Sequence, residues 1–378
     1  MNEDKASRYH RLKRQASVVS LVWTLVLLGG LLWTGASLSL RNVAEGAASI
    51  PGGSESWRAS LTVVLYVALL SALAEAGSLP LAVYSDFLLE RRYGLSNETL
   101  RGWLIDQAKS FGLGLLLGCG GAAILYALIR YSPEHWWLPA GAVFALIIVG
   151  IANVAPVVLL PLFYRVKPLD RESLRTRLIA LAERADARVL GAYEWGLSDK
   201  TKKANAALAG IGATRRILVS DTMLAEYSDE EIEVVLAHEI AHHVHGDIWK
   251  GILFQCVLIL AGFYLGARVL DWMAAAFELR SVADIAGLPL LLLAAGGVSL
   301  VMLPLAHALS REFERNADRF ALSLTRNPGA FISAMRRLAA QNLAEERPSP
   351  LVQWLFHSHP PVHERIAVAQ SFMTNLII

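Results

Sequence analysis

His238-Glu239-Ile240-Ala241-His242 is the stretch of this sequence whose residue types and spacing can do chemistry. On a helix, residues four apart share a face, so both imidazoles can point at one ion. Zinc takes such nitrogens at about 2.0–2.1 Å. Glu239 falls on the adjacent edge, near the ion but not bound to it, where it can take a proton from a water that the ion activates. A catalytic zinc site also needs a third protein ligand and one open position. The run SREFERNAD at 310–318 offers candidates, because Glu314 and Asp318 are one helical turn apart. Glu314 could ligate while Asp318 accepts a hydrogen bond from a ligand imidazole and so fixes its tautomer. The alternative for that run is a charged helix surface of Glu and Arg pairs, and spacing alone does not choose between them.

The motif must be held by a helix, and the residues ahead of it supply the start signal. Ser228-Asp229-Glu230-Glu231 reads as a capping box, with Ser228 as cap and Glu231 reaching back. The helix therefore begins near Asp229. Upstream lies a polar block from Arg165 to about Asp247. It opens with an amphipathic helix over 170–185, with Leu174, Leu178 and Leu181 on one face. Short β-prone pieces follow at 192–197, 205–211 and 216–220, punctuated by Gly191, Gly196, Gly210 and Gly212, and they predict a small sheet.

The rest of the chain is built for lipid. Mean hydropathy is +0.43, with 54% hydrophobic and 18% charged residues, against about 25% charged in soluble domains. Six runs approach the roughly 20 apolar residues a bilayer demands: 17–40, 59–83, 111–131, 137–164, 252–270 and 285–309. The fourth contains Pro156 and Pro161, which predict a kink or an extension past the bilayer. Lys5, Arg8, Arg11, Lys13 and Arg14 precede the first run, which is too long for a signal peptide's apolar core and reads as an uncleaved anchor. The same residues put the N-terminus in the cytoplasm, and six spans return the C-terminus there with the polar block. Four parts are expected: membrane residues 1–164 with four spans, the catalytic block 165–250, two further spans in 251–310, and 311–378 completing the metal site. The net charge of +2 gives no reason to expect nucleic acid. Cys119 and Cys256 lie in apolar stretches and read as buried thiols. Glu75, inside the second run, should face a cavity or a partner, unless it snorkels from a helix end. Trp136 and Trp137 read as an interfacial belt. His243, His245 and His307 read as polar surface, supporting or helix-end groups, and His307 could also line a substrate path.

Over nearly its whole length the chain resembles the type I CAAX prenyl proteases, and more distantly the bacterial heat-shock membrane zinc proteases. The resemblance rests on HEIAH together with YSDFLLERRYGLSNETLRGW, APVVLLPLFYRVKPL, KKANAALAGIGATRRILVSDTML, SREFERNADRFAL and SHPPVHERI, in the family's order. One departure is Ala241, where many relatives carry Gly. The resemblance implies a mainly helical membrane bundle of six to seven spans with a zincin-like catalytic domain containing a small sheet. It implies one zinc ion per chain on His238, His242 and Glu314, with Asp318 behind them. It makes Glu239 the general base and His359 a donor to the tetrahedral intermediate, supported by Arg365. It places Asn205 and Ala206 on an edge strand that pairs with substrate backbone.

The expected activity is endopeptidase cleavage of membrane-associated or CAAX-type C-terminal peptides, which a lipid can anchor to the bilayer. A quality-control protease for membrane proteins is the alternative. A non-catalytic scaffold or transporter would make the ligand set incidental. The chain's 27 Arg against 8 Lys, and its end in NLII without an ER address, point to a bacterial inner membrane rather than the ER.

Overall fold

The apolar runs become helices. The computed structural model describes residues 4–50, 52–210 and 214–377. Among these, six helices are long and apolar enough to cross a membrane, one for each expected run.

α1 (Lys5–Trp33) begins ahead of residue 17 because its polar first turns find partners: His10 donates to the Leu343 carbonyl and Arg14 pairs with Glu345. It ends before residue 40, where Gly35 takes φ +70° and starts a separate helix, α2 (Ala36–Ser49). At about 1.5 Å per residue α2 is roughly 21 Å long, short of the roughly 30 Å apolar core. It carries Arg41, buried in an ion pair with Asp284 (Nη1–Oδ2 2.5 Å).

α3 (Glu55–Ala82) runs through a π-helical turn, Val83–Leu88, into α4 (Leu89–Arg92). Glu75 has its partner in α5 (Leu100–Tyr131), where Gln107 Nε2 donates to its carboxylate at 2.7 Å. α6 (Trp137–Val154) stops short of residue 164. The chain passes through a π-helical turn, Ala155–Leu159, into α7 (Leu160–Phe163). Pro156 has no N–H for the regular ladder, and such turns re-route it. Trp136 departs from the interfacial expectation: it is 1% exposed and packs edge-on against Phe263 inside the bundle.

The polar block forms a four-stranded sheet. β1 (Val166–Pro168) precedes α8 (Glu172–Arg184), and β2 (Ala192–Trp195), β3 (Ala206–Ala209) and β4 (Arg216–Ser220) follow. The order is β1-β2-β4-β3, with β2 and β4 parallel and the other pairs antiparallel. β1, three residues without alternation, left no signal in the sequence. The expected strand end at Ile211, and Gly212, lie outside the described residues.

α9 (Asp221–Glu226) leads to α10 (Asp229–Val244), whose capping box is complete: Glu231 N–H donates to Ser228 Oγ and Ser228 N–H donates to the Glu231 carboxylate. Leu236, Ala237 and Ile240 of α10 join Leu174, Leu178 and Leu181 of α8 and Ile217 and Val219 of β4 in one core. Burying each large side chain contributes about 1.5–3 kcal/mol. That face lies opposite the two motif histidines, so packing on the sheet turns the imidazoles the other way.

They meet the end of a membrane helix. α11 (Asp247–Met273) leaves the block and α12 (Leu288–Thr325) returns to it. α12 is roughly 57 Å long at 1.5 Å per residue. Its second half therefore projects beyond the roughly 30 Å apolar layer and carries Glu314 and Asp318 to α10. α13 (Pro328–Gln341) and α15 (Val362–Ile377) close the site from the other side, joined through α14 (Pro350–Phe356).

Candidate metal centre and active site

His238, His242 and Glu314 each offer a ligand atom, and these atoms all lie within 4.8 Å of one another. Glu314 Oε2 is 3.1 Å from His238 Nε2, and Oε1 is 3.5 Å from His242 Nε2. The outer nitrogens are occupied: His238 Nδ1 meets Asp318 Oδ1 at 2.9 Å and His242 Nδ1 meets Asp247 Oδ2 at 3.1 Å. A carboxylate only accepts, so both Nδ1 atoms carry hydrogen, and in the neutral rings both Nε2 atoms present lone pairs. Glu314 Oε2 is buried and makes no hydrogen bond. Two lone pairs and a carboxylate converging on one point repel each other unless a cation stands between them, so the residues fit a metal ion. Burial works against positive charge on His238, but Asp318 and Glu314 outweigh it and raise its pKa to about 9, so the cluster favours a cation at this point, either a proton on Nε2 or a metal ion in its place.

Asp247 is the site residue that the sequence reading missed. It is buried at the first turn of α11, straight after Gly246, and its signal was an acid five residues past the second histidine. Arg365 grips Asp318, approaches His238 Nδ1 at 3.3 Å and acts on His359 through its charge. Its place in α15 lets it reach α12 and α10 at once.

Glu239 is half-buried beside the cluster. Burial pushes its carboxyl pKa up, and the two imidazoles only partly oppose this. His359 Nε2 lies 3.2 Å from Glu314 Oε1, and its Nδ1 lies 2.9 Å from Ser358 Oγ. The carboxylate can only accept, so Nε2 is the donor, and Ser358 donates to Nδ1 of the neutral ring. Desolvation holds the His359 pKa down, which favours that neutral form, although 61% of the side chain is exposed.

A cavity of about 540 Å³ joins these groups: Asn205 and Ala206 line it with His238, Glu239, Glu314 and His359. His10 of α1 reaches its wall. His307 is not among the lining residues and its Nδ1 has no hydrogen bond. His243 donates to the Leu208 carbonyl of β3 at 2.8 Å, and His245 packs edge-on against Phe320.

A helical bundle carrying two inward-facing imidazoles and a carboxylate beside a half-buried glutamate defines a membrane-embedded metalloprotease. The comparisons agree. The family model for Peptidase family M48 matches residues 168–372, and that for the CAAX prenyl protease N-terminal part with five membrane helices matches residues 2–165. The chain belongs to peptidase family M48. It is similar to the uncharacterized metalloprotease YhfN of Bacillus subtilis (strain 168), with 32% identity over 314 residues, 82% of this chain and 74% of that protein. It is also similar to CAAX prenyl protease 1 of Saccharomyces cerevisiae, with 26% identity over 324 residues, 80% of this chain and 70% of that protein. In fold it matches the crystal structure of S. mikatae Ste24p, with a TM-score of 0.84 at 22% identity, covering 97% of this chain and 87% of that one. In the N-terminal part, α1, α2, α3, α5 and α6 are the longer helices, and α2 is the one too short to span.

Proposed function

We propose that this chain is a zinc endopeptidase that cuts peptides presented at the cytoplasmic face of a bacterial inner membrane. The observation that carries the reading is the convergence of His238, His242 and Glu314 beside Glu239 in one cavity. Two imidazoles and one carboxylate are a donor set that suits catalytic zinc, one ion per chain. When bound, zinc would supply a Lewis acid and lower the pKa of a water to about 7.

The chain's own residues do the rest. Asp318 and Asp247 hold the two imidazoles in the tautomer that turns Nε2 inward. Arg365 holds Asp318. Glu239, its proton affinity raised by burial, takes the proton from the attacking water and passes it to the leaving amine. His359 donates from Nε2 to the carbonyl oxygen as negative charge develops there. Ala206, at the outer edge of the sheet, offers its backbone to the substrate as to an added strand, and Asn205 lines the cavity beside it.

The substrate class is a membrane-associated peptide. Relatives named CAAX prenyl protease make a C-terminal CAAX peptide, with or without a lipid, the first to try. The test is purified protein in detergent with such a peptide. Cleavage that stops when a chelator strips the metal and returns with zinc supports the reading. Metal-free protein that cleaves at the full rate ends it.

A further inference from the structure

Among the described residues β3 is the last strand of the sheet, so one of its sides has no strand beside it. Which residues turn their backbone toward that side follows from register. Ser220 N–H donates to the Asn205 carbonyl and Asn205 N–H donates to Ser220 Oγ, so Asn205 faces β4. Antiparallel pairs alternate between bonded and non-bonded. The register Ala206↔Val219 and Leu208↔Ile217 therefore turns Ala206 and Leu208 away from β4, and Ala204 with them. Ile217 agrees, because its N–H donates to Gly191 on the opposite side.

Two of the three outward positions are already taken. The Asn342 side chain, at the end of α13, both accepts from Ala204 N–H (3.2 Å) and donates to the Ala204 carbonyl (3.3 Å), as a neighbouring strand would. His243 Nε2, from α10, donates to the Leu208 carbonyl at 2.8 Å. Between these stops only Ala206 offers both its N–H and its carbonyl, and it does so into the cavity that holds the metal-facing cluster.

We infer that the free edge is a slot one residue long: an extended peptide pairs with Ala206 alone, and Asn342 and His243 fix where along the strand it seats. The inference deepens the peptidase reading and rests on it. Both stops are positioning residues, acting through the strand rather than on the scissile bond. An unprotected edge would accept several residues of any extended chain. A slot of one residue gives a peptide two backbone hydrogen bonds and leaves side-chain pockets to select it.

The experiment measures binding, so it does not depend on turnover. Metal-loaded Glu239→Gln protein is titrated with an eight-residue peptide ending in a CAAX sequence, then with versions N-methylated at one amide at a time. One methylated amide is expected to weaken binding about threefold to tenfold, the size of one net hydrogen bond. Adding Asn342→Ala opens Ala204 and should create a second sensitive amide two residues from the first, because the outward positions alternate. Two or more sensitive amides before that change, or none, overturn the slot. So does an unchanged single position in metal-loaded Asn342→Ala protein. The scan on intact Asn342 decides the matter alone if that variant does not fold. A wild-type chain that binds in the expected pattern and fails to cut would refute the peptidase reading and leave the slot standing.

Discussion

Arg365 holds Asp318 with both arms of its fork, Nε to Oδ2 at 2.8 Å and Nη2 to Oδ1 at 2.6 Å. The same Oδ1 receives His238 Nδ1 at 2.9 Å. Arg365 is thus linked through Asp318 to His238, and its removal should be felt at the metal site. Asp318→Asn should weaken metal binding about 10–100-fold, as loss of such supporting groups does. Arg365→Ala should fall in the same direction. Arg365→Lys should restore little of it, because an ammonium cannot make the planar double contact. Competition against a chelator measures all three, and an Arg365→Ala protein with wild-type affinity would disconnect this arginine from the metal.

Glu314 and Glu312 are two residues apart and face different surroundings. Glu314 is 7% exposed among the imidazoles, whereas Glu312 is exposed and pairs with Arg315. Glu314→Ala should lose the metal and Glu312→Ala should keep it. Metal content of the two purified variants settles the choice, and loss from Glu312→Ala alone would reverse it.

Glu239→Gln keeps the side chain's size and removes its basicity. It should bind metal near stoichiometrically and lose nearly all cleavage. Wild-type turnover in that variant would take the general base away from Glu239.

His359→Ala should keep its metal and its substrate affinity while kcat falls at least about tenfold, because a donor to developing charge acts mainly in the transition state. Loss of one oxyanion donor elsewhere costs on the order of 100–1,000-fold in kcat. A smaller loss is expected here because the metal would share the charge. Steady-state kinetics on metal-loaded protein is the measurement, and an unchanged kcat would remove His359 from the reaction.

Both termini should label from the cytoplasmic side only. Six crossings would return the chain to its starting face, and by the positive-inside rule the basic residues before the first span should hold that face inside. Labelling of a cysteine at residue 4 from outside would contradict this orientation.

The sequence by itself determined the membrane helices, the capped α10 and the pair of histidines on one face, because each depends on neighbours within a turn or two. Six apolar runs predict six helices wherever the rest of the chain goes, and Ser228 and Glu231 cap α10 through bonds three residues long. It also singled out Glu314 and Asp318 as sharing a face, but whether that face met the histidines or water was not written in their spacing. Tertiary structure decided it, by letting α12 overrun the membrane and packing the far side of α10 on the sheet. The same holds for Asp247, which became the partner of His242 only when Gly246 turned the chain into α11. It holds again for the edge of β3. Asn342 and His243 reach it from helices remote in sequence, and no local pattern of residues records a hydrogen bond made across that distance.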